Sequence, residues 1–187
     1  RVRCKENADS FAKYFARRPQ YGYMFSRVNR WLAPADGGRT EPAFGQEDLM
    51  NEGYSKIFVS LDGTEQQDFV LARAIKVAAN NNAKLIIGHV IDSTALESAG
   101  TYPIDLVNGL ETAFRNSIEK QVAEAEANPA IPEVEIMIRA GRIRETLKDE
   151  MLDVVQPDLV LCGARGLSSI KYALLGSIST FLLRNTD

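Results

Sequence analysis

With 187 residues, 45% of them apolar and 25% charged, the chain has enough for one ordinary globular domain and a segment to spare, and its composition excludes a disordered protein. A formal net charge of −3 argues against nucleic acid or an acidic membrane surface as partner, and no run of about 18 apolar residues exists to span a bilayer. Arg1-Val2-Arg3-Cys4-Lys5 leads into no signal peptide, and Cys4 and Cys162 lie too far apart for a metal-ligand or redox pair, so a reducing cytoplasmic setting is expected.

The charge is unevenly placed. Residues 1–49 hold nine Lys/Arg and six Asp/Glu, a balance of +3; of the totals of 22 and 25, this leaves 13 basic and 19 acidic residues beyond them, a balance of −6. Trp31 and seven further aromatics fall in the same first quarter. Residues 1–33 carry a loose helical pattern interrupted by Pro19 and Gly22, and residues 34–48 are turn-rich, so 1–49 reads as a leader or linker. Basic residues interleaved with aromatics suit RNA or a membrane surface. The favoured reading is plainer: Met50 is a candidate start, and residues 1–49 are upstream DNA translated as protein. A start at Arg rather than Met also fits a fragment or processed product.

From Tyr54 the pattern becomes regular. Lys56-Ile57-Phe58-Val59-Ser60-Leu61 predicts a strand ending at the turn Asp62-Gly63-Thr64. Glu65 to Ala79 has one apolar stripe and predicts a helix, stopped by Asn80-Asn81-Asn82. The nearly continuous apolar run Ala83 to Ile91 predicts a strand buried on both faces. An amphipathic helix is expected over about 104–127, a half-exposed strand over Val134 to Arg139, a helix over Ile143 to Val155, a fourth strand over Asp158 to Cys162, and a last helix from about Gly176 to Arg184. The order β-α-β-α-β-α-β-α predicts an open parallel α/β sheet with helices on both faces. Such sheets bind ligands beyond the carboxyl ends of their strands, where strand order reverses. That directs attention to Asp62, Val90 to Asp92, Gly141 and Gly163.

After the fourth strand comes Gly163, two residues, Gly166, nine residues, then Gly176-Ser177. Gly163 permits a sharp turn and close approach of a ligand, and Gly166 permits an anion-binding nest. Gly176-Ser177 stands where a helix starts, with free N–H groups and the positive dipole end. Each alone is better explained by a turn or a cap; the spacing taken with the strand context is what points to a ligand. The P-loop and the dinucleotide fingerprint are both absent.

This spacing, in this setting, resembles the ATP-binding subgroup of the universal stress protein family. Three further places carry the resemblance: the strand ending Asp62-Gly63-Thr64, the segment His89-Val90-Ile91-Asp92, and Leu159 to Gly166. It covers Tyr54 to Asp187, and implies a Rossmann-like sheet of the adenine nucleotide alpha hydrolase type. It also implies that Ser60 and Leu61 line a base pocket and that Asp62 meets ribose or adenine. The Val90 backbone would read the adenine edge, Cys162, Gly163 and Gly166 would border ribose and phosphates, and Gly176, Ser177 and Ile178 would take the terminal phosphates. The ligand implied is ATP, with Mg2+ or Mn2+ bridging its phosphates and no protein ligand named for the ion. The family's homodimer is built on a fifth strand. Here the chain stops at Asp187, so that strand is expected to be missing, the fourth strand's edge open, and dimerisation in doubt.

His89, the one histidine, lies within an apolar strand and reads as structural rather than catalytic; Cys162 reads as a core residue. Asp62 has the alternative of a helix cap. Arg142 and Arg144 either add positive potential near the site or face water, and Arg165 and Lys171 are weighed evenly. No general base for water is evident. A nucleotide-binding stress or signalling protein without strong catalysis is therefore expected, a slow ATPase or a nucleotide-free interaction module being the alternatives.

Overall fold

In the computed structural model, Lys56–Leu61 (β3) forms the strand that the apolar run predicts, with Ile57, Phe58 and Val59 wholly buried. The model describes residues 23–26, 31–32, 53–64, 67–94, 104–163 and 177–185. Ahead of β3 lie two short strands, Tyr23–Ser26 (β1) and Trp31–Leu32 (β2). After it come helix Gln67–Asn81 (α1), strand Lys84–Asp92 (β4), helix Ile104–Glu126 (α2) and strand Val134–Gly141 (β5). A helical stretch follows, composed of Ile143–Glu145 (α3), a π-helical run Thr146–Leu152 and Asp153–Val155 (α4). Strand Leu159–Cys162 (β6) and helix Ser177–Asn185 (α5) complete the described elements. Among the described residues no helix is long and apolar enough to cross a membrane.

The strand order is β2-β1-β6-β3-β4-β5, and β6, β3, β4 and β5 are mutually parallel. The open parallel α/β sheet expected from the sequence is therefore present. From β3 the chain steps to β4 and β5 on one side and then returns to β6 on the other. The switch point accordingly lies between the ends of β3 and β6, where Ser60 is opposite Cys162.

Alternation along the strands sends side chains to two separate cores. Ile57, Val59, Leu61, Leu85 and Ile87 pack beneath α1 and α2, against Leu71, Ala74, Phe114 and Ile118. Phe58, Ile86, Met137, Val160 and Cys162 pack on the other face with Leu147, Met151 and Leu182. Burying each such aliphatic or aromatic side chain stabilises by about 1.5–3 kcal/mol. α1 ends as the asparagine run suggests. Asn82 has φ +51, Ala83 N–H donates to Ala78 O (3.0 Å), and Asn82 N–H donates to Ala79 O (3.3 Å), the paired closure of a left-handed cap.

Two expectations are corrected. Residues 23–26 and 31–32, within the loose helical pattern, are strands. The edge of the fourth parallel strand, expected open, is paired: β1 runs antiparallel along β6, with Tyr23 opposite Cys162, Met24 opposite Leu161, Phe25 opposite Val160 and Ser26 opposite Leu159. The physical reason is common to both. An unpaired sheet edge offers a row of N–H and C=O groups, and a segment rich in aromatic residues has the propensity to fill it.

Candidate functional site

The carboxyl ends of the parallel strands are closed by three turns. The first follows β3. Asp62 is exposed, and its Oδ1 accepts from the Thr64 amide (3.0 Å) and the Thr64 hydroxyl (2.8 Å). Gly63 between them has φ +77, which a glycine adopts without steric cost. Asp62 thus braces its own turn, and Oδ2 makes no hydrogen bond among the described residues.

Beneath this turn, His89 stacks on Phe114 with ring centroids 4.0 Å apart and planes 7° from parallel. Its Nδ1–H donates to Leu61 O (2.9 Å); a carbonyl only accepts, so the imidazole is the Nδ1–H tautomer. Burial pushes the His89 pKa down, against the opposing pull of the Leu61 carbonyl and Asp62. A neutral, stacked and hydrogen-bonded ring is a structural support.

The second turn follows β4 and is tied to the end of β5. Ser93 N–H donates to Gly141 O (3.1 Å), and Asp92 Oδ1 accepts from Thr94 N–H (3.0 Å). Hydrogen bonds from the Thr94 hydroxyl and amide hold the Asp92 carboxyl below its ordinary value. Gly141 is dictated by packing: a Cβ there would fall 2.1 Å from Thr146 Oγ1. Its absence lets the turn carrying Arg142 and Arg144 settle on the strand end.

The third connection runs from β6 to α5. Ser179 is buried, its hydroxyl donates to Gly163 O (2.9 Å), and the Cys162 thiol reaches that hydroxyl at 3.7 Å. Burial pushes the Cys162 thiol up to about 12, so it stays protonated and unreactive. The start of α5 is thereby tied to the end of β6, which draws Gly163 and Ser177 to the same end of the sheet.

Where the second and third of these connections meet is a cleft of about 370 Å3. Asp92 and Thr94 line it from the end of β4, residues 142–145 from the turn after β5, and Ser177 and Ile178 from the start of α5. Arg142 and Arg144 are both exposed there.

The residues named from the sequence separate into groups. Ser177 and Ile178 line the cleft, while Asp62 and Gly163 stand at the switch point. Val90, half-buried, packs against the core that contains Cys162. The Leu61 side chain enters the core under α1, and its carbonyl accepts from His89. The Cys162 thiol is buried against Ser179. Gly166, Gly176, Arg165 and Lys171 lie outside the described residues. Sequence reasoning missed Ser179, whose role depends on a contact between two elements, and left Arg142 and Arg144 undecided. Their position just after β5 was the available signal. Among the described residues no three His, Cys, Asp or Glu side chains gather to hold a metal.

An open parallel sheet with a cleft at its strand ends defines an α/β protein of the doubly wound class, in which ligand sites lie at the carboxyl ends of the strands. The model of the universal stress protein family matches residues 53–187, and the chain belongs to that family. A Staphylococcus saprophyticus protein named for the universal stress proteins is 26% identical over 133 residues, covering 71% of this chain and 79% of its own. Among solved structures, universal stress protein UspA from Lactobacillus plantarum shares the fold at 19% identity and TM-score 0.60, covering 73% of this chain and 94% of that one. A universal stress protein in complex with cAMP aligns at 25% identity and TM-score 0.52, with the same coverage.

Proposed function

We propose that this protein binds an adenine nucleotide, ATP in the first instance, and acts as a nucleotide-dependent stress or signalling protein in the cytoplasm. The observation that carries the reading is the start of α5. Ser177 and Ile178 open into the cleft at the carboxyl ends of the strands, and Ser179 ties them to Gly163 across the switch point. Free N–H groups and a positive dipole end at such a place suit phosphate. Each contact contributes only about 0.3–1 kcal/mol at an exposed helix start, so several must act together. Asp62 has an oxygen left to accept from a ribose hydroxyl. The relative in complex with cAMP supports an adenine nucleotide as the ligand class.

Binding without efficient turnover is the reading favoured. His89, the side chain best suited to activate water, is committed to Leu61 and Phe114. A bridging Mg2+ or Mn2+ would draw its ligands chiefly from the phosphates.

Calorimetric titration of the chain with ATP tests the proposal. Saturable binding at up to millimolar ligand is expected, and Gly166→Val with Gly176→Val should abolish it while the far-ultraviolet circular dichroism is kept. Absence of ATP binding to the folded wild type would refute the reading.

A further inference from the structure

We propose that Arg142 and Arg144 form a terminal-phosphate clamp, so that the site prefers a nucleoside triphosphate to a monophosphate or a cyclic nucleotide; this rests on the nucleotide-binding reading above. Both side chains are exposed at the mouth of the cleft that Ser177 and Ile178 line from the opposite element. Their position is built, not incidental. Gly141 leaves room for Thr146 to close on the strand end, and Thr146 N–H donates to Arg142 O (2.9 Å), which fixes the turn bearing the two arginines. A guanidinium stays charged at all relevant pH and offers a planar fork of donors that matches phosphate oxygens.

The charge of the cleft decides what such a clamp does. Asp92 and Glu145 line it too, so two carboxylates balance two guanidiniums. A free anion would gain little there. An anion delivered by a base and ribose anchored elsewhere gains the arginine contacts without having to be captured by net charge. Asp62 follows β3, and Arg142 follows β5, two strands away. Ordinary strand spacing makes that about 10 Å, a gap that a phosphate chain bridges and a single α-phosphate does not. The arginines therefore read the number of phosphates, while the switch point holds the nucleoside.

The test compares ATP, AMP and cAMP by calorimetry on the full chain, as wild type, as Arg142→Ala/Arg144→Ala and as Arg142→Lys/Arg144→Lys. Wild type should bind ATP more tightly than AMP or cAMP. The double alanine variant should weaken ATP binding by roughly tenfold or more, as expected for loss of a charged hydrogen bond, and leave AMP within about twofold. The lysine variant should recover part of the ATP affinity. Equal losses for ATP and AMP, or an unchanged ATP affinity, would overturn the clamp while leaving nucleotide binding intact. Wild type binding none of the three would overturn the nucleotide reading, and the clamp with it.

Discussion

Gly88 lies within β4, where a side chain would point at Phe58 of the neighbouring strand. A Cβ there would fall 2.1 Å from Phe58 Cζ and 2.8 and 2.9 Å from Cε1 and Cε2. Comfortable carbon–carbon contact needs about 3.5–4.0 Å, so Gly88→Ala demands that the ring tip move by about 1.5 Å. Phe58 is 0% exposed and packs in the core shared by Ile86, Met137, Met151 and Val160, so it has nowhere to go. Overpacking of this kind costs about 1–3 kcal/mol, and a rigid, enclosed ring belongs at the upper end. Alanine regains about 0.5–1 kcal/mol over glycine in backbone entropy, which leaves a net loss of about 2 kcal/mol. Urea unfolding followed by circular dichroism measures this directly. Phe58→Leu, which lacks the ring tip, supplies the control: it costs about 1–2 kcal/mol alone through the cavity it leaves. With Gly88→Ala it should cost at least about 1 kcal/mol less than the sum of the two single changes. A neutral Gly88→Ala, or a double variant additive to within about 0.5 kcal/mol, would show that the steric argument fails.

Three other outcomes are expected. Because burial lowers the His89 pKa from 6.5, the unfolded chain takes up that proton first. The contribution of neutral His89 is therefore present in full above about pH 6.5 and is lost as pH falls toward the folded value. The stability gap between wild type and His89→Phe should narrow from about pH 7.5 to about pH 5.5, and a constant gap would count against this account. Asp158 Oδ2 accepts from the Ser55 amide (2.9 Å), the Ser55 hydroxyl (2.6 Å) and the Lys56 amide (2.9 Å), joining the starts of β3 and β6. Burial raises its pKa, but the Ser55 and Lys56 hydrogen bonds outweigh that and hold it below 3.8. Asp158→Asn should cost about 1–2 kcal/mol at neutral pH, and wild type should lose that advantage below pH 3.8; urea midpoints at neutral and acid pH check both statements. Ser179→Ala removes the donor to Gly163 O and should loosen α5. Faster hydrogen exchange of its amides is expected, and unchanged protection would show that the bond does not hold the helix.

The alternation of strands and helices from residue 56 onward is legible in the sequence alone. Period and length are local properties, and a run such as Leu85-Ile86-Ile87 has one stable use, between two layers of helices. The same logic pointed to the strand ends as the ligand region, because parallel connections leave their turns there. Tertiary structure decided what depends on a partner distant along the chain. Ser179 serves Gly163 and Cys162 sixteen and seventeen residues away, and nothing local marks it. Leu61 is one apolar residue among several at the end of its strand, and only the packed structure places it under α1. The aromatic segment ahead of β3 reads as helical in isolation, but Tyr23–Ser26 pairs along the edge of β6 in the sheet. Arg142 and Arg144 were two ambiguous charges until the end of β5 and the start of α5 set them around one cleft. Propensity and period act over a few residues, whereas a site is a meeting of strand ends, and only the packed sheet brings those together.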